Sequence, residues 1–337
     1  MQIDKESIYK KESITVGYFF EKIREIINVK LLTPDKSGFD NLIYEQNLHR
    51  PGLALAGFVD LFTHDRVQLI GNTEYKYCRT LSDEQLKQSL ERLFKFNIPC
   101  IVLTNNNQPH QILIDLATKH EVPVFQISQT TTKAAYIISD FLEDQFATRV
   151  SIHGSFVDVH GVGILFVGKA GIGKSEISLD LVERGHRLVA DDVVVFTKKG
   201  ESVLIGSGTD VIQHSMEIRG IGIIDVEKMF GIHAIRFQKR LEVVVELEVW
   251  NPNEEYTRTG LDEEKIKILD IPIHYIKLPI LPGKNITVIA ETIALNYLLK
   301  HYGYDAAKEL NERLKKKILE GKSRGERFIN YFEHDFE

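Results

Sequence analysis

Eight consecutive residues, Gly168-Lys169-Ala170-Gly171-Ile172-Gly173-Lys174-Ser175, fit the pattern G-x-x-x-x-G-K-[ST], which cradles nucleotide phosphates. The residue types suit that chemistry. Glycines let backbone N–H groups converge on phosphate oxygens that side chains would obstruct. The Lys174 ammonium would neutralise the terminal phosphates, and the Ser175 hydroxyl would ligate Mg²⁺. Two adjacent carboxylates, Asp191 and Asp192, follow Lys174 by 17 and 18 residues. They lie inside the apolar run Leu188-Val189-Ala190-Asp191-Asp192-Val193-Val194-Val195-Phe196, where a carboxylate is costly unless it is paired or binds a cation.

These groups need elements to hold them. The apolar run Val162 to Val167 predicts a buried strand leading into the glycine-rich loop, and Glu176 to Glu183 has helical spacing at Ile177, Leu181 and Val182. A helix starting at the loop directs unpaired N–H groups and a positive dipole end at the bound anion. Gly185 suits the C-cap of that helix. Leu188 to Phe196 then reads as a buried strand of a parallel sheet, and one crossover returns the acid pair beside the phosphate loop. Side chains alternate along a strand, so one acid faces the phosphates and the other does not, unless the strand bends there. The chain is expected to bind a nucleoside triphosphate.

The 337 residues suffice for two domains of ordinary size. The hydrophobic fraction of 43% and charged fraction of 27% are those of a globular protein. A net charge of −6 gives no basic field for nucleic acid. Cys78 and Cys100 stand in unrelated contexts, which suits a reducing cytoplasm and supports neither a disulfide framework nor a zinc site. Met1 to Lys11 has no apolar signal core, and no run approaches the ~20 residues of a membrane span.

Residues 1–131 predict a layered α/β domain. Phe19 to Ile27, Asp83 to Phe94 and Gln111 to Lys119 read as helices, and Cys100 to Thr104 and Val122 to Ile127 as strands. Asn105-Asn106-Asn107 reads as a solvated turn. This half carries no phosphate loop, acid pair or metal spacing, and its role is unassigned. The polar stretch Ser128 to Lys133 is the linker candidate, so the second domain is placed at 132–337, opening with a connecting helix over Ala134 to Phe146. Helices are also expected over Glu291 to His301 and Ala306 to Leu319. The last has Ala307, Leu310 and Leu314 on one stripe and a basic cluster at Arg313, Lys315, Lys316 and Lys317.

The second half resembles a known family, HPr kinase/phosphorylase. The resemblance rests on His153-Gly154, GKAGIGKS, RGHRLVADD (Arg184 to Asp192), MEIRGIGIIDV (Met216 to Val226), YTRTG (Tyr256 to Gly260) and LPILPGKN (Leu278 to Asn285). The first half has the size of that family's N-terminal domain. The resemblance implies a cytoplasmic, homo-hexameric enzyme whose phosphate-loop kinase core is similar to that of phosphoenolpyruvate carboxykinase. It implies Mg²⁺ as cofactor, with ATP or pyrophosphate as donor, and phosphorylation of a regulatory serine on the phosphocarrier protein HPr. The reverse reaction, attack of inorganic phosphate on the phosphoserine with release of pyrophosphate, is implied as well. By the same resemblance Asp192 takes the serine proton and Asp191 assists it or holds Mg²⁺, the two not being ranked by sequence. His153 stands beside the acid, Glu217 joins Ser175 as a metal ligand, and Arg258 belongs to the catalytic set. The chain departs from the family pattern at Lys169 and Ala170, where Asp and Ser are usual. It departs again at Leu281 and Lys284, where a basic residue and arginine are common, and an ammonium lacks the bidentate phosphate grip of a guanidinium. A phosphorylase activity weaker than the kinase activity is therefore expected.

Overall fold

The computed structural model describes residues 8–209, 213–251, 264–281 and 283–321. The described chain forms two compact units, the first running from Ile8 to Arg149 and the second from Val150 onward. Among the described residues no helix is long and apolar enough to cross a membrane.

The first unit is built on a five-stranded sheet in the order Val29–Leu31, Val124–Ile127, Ile101–Leu103, Val67–Ile70, Leu48–His49. The last four strands are parallel, and Val29–Leu31 closes one edge antiparallel. Every residue of the three inner strands is buried, as a parallel sheet covered on both faces requires. Alternation divides their side chains. Leu69 and Val102 point into a core shared with Phe19, Phe20 and Ile23 of helix Val16–Ile26. Ile70, Ile101 and Leu103 point into another, with Leu86, Leu90 and Leu93 of helix Asp83–Leu93.

The helix expected to connect the domains, Thr131–Phe146, belongs to the first unit. Ala134, Ile138, Phe141, Leu142 and Phe146 are buried in the core that contains Phe19 and Phe125. The division falls after Arg149 rather than after Thr131. The polar stretch preceding the helix misleads because it carries out bonding at the helix start: the Thr131 and Thr104 hydroxyls hydrogen-bond each other at 2.8 Å. Asn105 and Asn106 turn the chain in the left-handed region, at φ 59° and 54°, a conformation asparagine tolerates.

Among the described residues the second unit contains two large sheets and a two-stranded hairpin. The larger runs Arg187–Ala190, Ser155–Val159, Val162–Gly168, Val243–Val249, Ile271–Ile280, Lys265–Ile268. Its centre is parallel, Val162–Gly168 beside Val243–Val249 beside Ile271–Ile280. The smaller contains Arg149–His153, Val193–Lys199, Val203–Ser207 and Gln238–Arg240. Between the sheets lies a core of Phe156, Leu165, Val167, Val189, Val194, Phe196 and Val244. On its other face the larger sheet packs against helices Lys174–Glu183 and Ile286–His301 and the hairpin residues Met216 and Ile218. Helix Ala306–Gly321 follows, with Leu310, Leu314 and Ile318 exposed.

The run Leu188 to Phe196 is not one strand of a parallel sheet. It breaks at the acid pair: Arg187–Ala190 pairs antiparallel with Ser155–Val159, and Val193–Lys199 continues in the smaller sheet, antiparallel to Val203–Ser207. Ser155–Val159 is antiparallel to Val162–Gly168 as well. The strands ending at Gly168 and Ala190 therefore run the same way, one strand apart, and finish at the same edge.

Candidate active site

The strand Val162–Gly168 is buried along its length except at Gly168, which fixes the start of the phosphate loop rigidly. Gly168 itself has φ 143°, and a Cβ there would lie 2.5 Å from the Leu247 carbonyl oxygen. Only glycine fits. Gly171, at φ 75°, has the Arg219 guanidinium against its Cα, where a Cβ would meet Nη1 at 2.4 Å. The helix Lys174–Glu183 begins directly after Gly173, which has no side chain to cap it. The first N–H groups and the positive dipole end are thus left facing the loop. Lys174 folds back over the loop, its ammonium donating to the carbonyls of Gly168 at 3.2 Å and Lys169 at 3.4 Å.

Asp191 and Asp192 occupy the corner where the chain leaves one sheet for the other. Asp191 is buried, at 7% exposure, and its carboxylate accepts a 2.8 Å hydrogen bond from Ser175. The buried Ser155 hydroxyl lies beside the same carboxylate without completing a regular hydrogen bond. Burial pushes the Asp191 carboxyl above its ordinary range. The hydroxyls and the Asp192 backbone N–H oppose that shift, and the Asp192 charge adds to it. Among the described residues no basic side chain forms an ion pair with Asp191. A buried carboxylate next to a serine hydroxyl, lacking a cationic partner, is a donor set suited to a hard divalent cation.

Asp192 is the opposite case. It sits in the left-handed region at φ 67°, and this bend swings its side chain out, at 71% exposure. Its Oδ1 lies 3.7 Å from His153 Nδ1, and His153 is 83% exposed. The backbone locks the pair, since the Gly154 N–H donates to the Asp192 carbonyl at 3.0 Å. The bend resolves the alternation problem posed by two adjacent acids: one faces inward to Ser175 and the other outward to His153.

Glu217 lies on the exposed side of the strand Ser215–Ile218, whose Met216 and Ile218 are buried. That strand forms a hairpin with Gly222–Asp225, and Arg219 carries its turn to the phosphate loop. Arg258 lies outside the described residues. The structure thus brings together Lys174, Ser175, Asp191, Asp192 and His153, and sets Glu217 on the neighbouring hairpin. Two participants were not singled out from sequence, Ser155 and Arg219. Arg219 stands within the quoted segment MEIRGIGIIDV as a lone cation between apolar residues, a pattern that marks a charge held for a purpose. Ser155 carries no comparable mark.

Comparison with known proteins assigns the chain to a family. The family model described as HPr Serine kinase C-terminal domain matches residues 144–314, and the one described as HPr Serine kinase N terminus matches residues 14–142. The chain belongs to the HPr kinase/phosphorylase family. A family relative from Chloroherpeton thalassium, the HPr kinase/phosphorylase of that organism, is 52% identical over 337 residues, covering 99% of each chain. The HPr kinase/phosphorylase of Prosthecochloris aestuarii is 53% identical over 320 residues, covering 94% of each. A solved structure, the Hpr(Ser) kinase/phosphatase from Coxiella burnetii, is 37% identical and covers 48% of this chain and 98% of its own, with a TM-score of 0.43. The chain is accordingly an α/β phosphotransferase of two family domains.

Proposed function

We propose that this chain transfers a phosphoryl group from ATP, or from pyrophosphate, to a serine hydroxyl of HPr, and that it also removes that group with inorganic phosphate. The observation that carries the reading is the divided acid pair at the mouth of the phosphate loop. In the forward direction the serine oxygen attacks the terminal phosphorus, the bond to the bridging oxygen breaks, and the hydroxyl proton passes to Asp192. In reverse an oxygen of inorganic phosphate attacks the phosphoserine phosphorus. The serine oxygen leaves and recovers a proton from Asp192, and pyrophosphate forms.

Exposure supports one ranking of the two acids. Asp192, outside the loop beside His153, is reachable by a side chain of another protein; Asp191, buried on Ser175, is not. Asp192 is therefore the base, and His153 orients it or shares its proton. Ser175 and Asp191 would hold Mg²⁺, with Glu217 reaching in from the hairpin. Mg²⁺ bound there supplies neutralisation of the charge on the transferred phosphoryl group. Lys174 and Arg219 add positive charge on the loop side, and the family resemblance adds Arg258. A homo-hexamer in the cytoplasm is the assembly and setting that the resemblance carries.

The test is intact-mass spectrometry of HPr after incubation with the protein, ATP and Mg²⁺. One added phosphoryl group, absent with Asp192→Asn, is the expected result. No added mass from the wild type, with ATP still bound, would leave a nucleotide-gated module in place of a kinase.

A further inference from the structure

At the far end of the strand that feeds the phosphate loop, three side chains from three separate elements converge. His160 stands at the tip of the hairpin joining Ser155–Val159 to Val162–Gly168, in a left-handed turn with Gly161 (φ 51° and 85°). His186 follows helix Lys174–Glu183 and is held by its N–H on the Leu181 carbonyl at 3.0 Å. Glu291 belongs to helix Ile286–His301. One donor atom from each lies within 4.8 Å of the other two. The imidazoles of His160 and His186 meet edge to face, with centroids 4.6 Å apart and planes at 84°. His186 Nε2 is 3.1 Å from Glu291 Oε1.

We infer that His160, His186 and Glu291 form a binding site for a divalent transition-metal ion, with Zn²⁺ the best-suited occupant. Two imidazoles and one carboxylate are a donor set that zinc takes readily, with a fourth position left for water. The set is graded in burial as such a site requires. His186 is buried at 6%, Glu291 is half-buried, and His160 is exposed on the solvent side. The second carboxylate oxygen of Glu291 takes a hydrogen bond from Arg184 Nη1 at 3.3 Å, which fixes the carboxylate orientation with Oε1 turned toward the His186 imidazole, where a metal would replace their hydrogen bond. A histidine–glutamate hydrogen bond alone would tie the helix to the turn without a second imidazole. The placement of His160 on the open side of that pair is what makes a three-donor site.

The site is separate from the phosphate loop, at the opposite end of a seven-residue strand, about 20 Å away. It does not depend on the proposed reaction. Bound there, the ion joins a hairpin tip, a helix C-terminus and the helix Ile286–His301, so its effect is on how firmly these three elements are held together.

Chelator-stripped full-length protein is dialysed against Zn²⁺ in excess Mg²⁺ without nucleotide, and bound zinc is counted by elemental analysis. Co²⁺ substitution, read by visible absorption, reports the coordination geometry. One zinc per chain and a tetrahedral Co²⁺ spectrum are expected. Affinity should fall about tenfold or more in His160→Asn, a residue that keeps the left-handed turn. Glu291→Gln should lose the same spectrum, and if that variant misfolds the His160→Asn result decides. Wild-type protein that takes up no stoichiometric zinc, or a His160→Asn variant that binds as wild type does, would overturn the inference.

Discussion

Both units contain a parallel strand that leaves its sheet through glycine and enters a helix, and the two junctions treat the helix start in opposite ways. In the first unit Val67–Ile70 passes through Gly71 into helix Asn72–Thr80. There the chain supplies its own anion: Glu74, 5% exposed, accepts from the Gly71 N–H at 3.0 Å and pairs with Arg50 at 2.9 Å. In the second unit Val162–Gly168 passes through Gly171 and Gly173 into helix Lys174–Glu183, and the cap position has no side chain to offer. An anion can be received only where the chain has not already provided one. The first junction is closed by a buried carboxylate of its own helix, and in the second no side chain caps the first N–H groups, while Lys174 and Asp191 bond only within the loop and its serine.

The comparison can be broken most sharply at Asp192. Asp192→Asn should lower HPr phosphorylation by about 10³-fold, the usual worth of a positioned base, while ATP affinity stays near wild type. Equal rates in a single-turnover assay would show that the open junction is not a catalytic one. Next comes the closed junction. Glu74→Ala strips Arg50 and Gly71 of their partner and should lower the opening free energy of the Val67–Ile70 strand by about 2 kcal/mol. Native-state hydrogen exchange reads this, and a change in ATP affinity instead would mean that the first junction is not structural.

A smaller effect is expected at Leu281 and Lys284, where the family resemblance leads to a basic residue and an arginine. Leu281→Arg combined with Lys284→Arg should raise phosphate-dependent formation of pyrophosphate from phosphoserine-HPr by roughly tenfold, the worth of one charge-assisted hydrogen bond. An unchanged rate would sink the idea that these positions weaken the phosphorylase. The smallest effect concerns stability. Burial raises the Asp191 carboxyl above its ordinary value, so its ionisation costs more in the folded than in the unfolded chain. The stability it allows is greatest below the ordinary carboxylate range and is lost as pH rises through the elevated value. Asp191→Asn should therefore raise Tm of the ligand-free protein by roughly 2 °C at neutral pH and flatten its pH dependence. A lower Tm at neutral pH would show that the carboxylate stabilises the empty site.

The elements of the candidate site written in contiguous residues were legible. The phosphate loop, its buried strand and its helix follow from local spacing, and the structure places all three as expected, with the helix beginning at Lys174. The sheet break at Asp191 was not legible, because nine residues with seven apolar ones look alike whether they lie in one strand or two. The bend follows from pairing with Ser155–Val159 and Val203–Ser207, partners distant in sequence. Arg219 was missed for a similar reason: its contact with Gly171 is created by a hairpin folding over the loop. The helix Thr131–Phe146 was assigned to the wrong unit since its stripe of Ala134, Ile138, Phe141 and Leu142 would suit either core. The strand Val67–Ile70 was not foreseen, four residues being too few for a pattern of alternation.

The left-handed backbone of Asp192 has a consequence for how this protein can decay over generations. At φ 67° asparagine and glycine are the replacements that sit with least strain. A lineage released from the need for the reaction would be steered by conformation toward asparagine or glycine at this position. Such descendants would fold and keep the glycine-rich loop, while having lost the proposed proton acceptor. The corner of the chain thus separates survival of the fold from survival of the chemistry, and a silent homologue should be recognisable by that one residue.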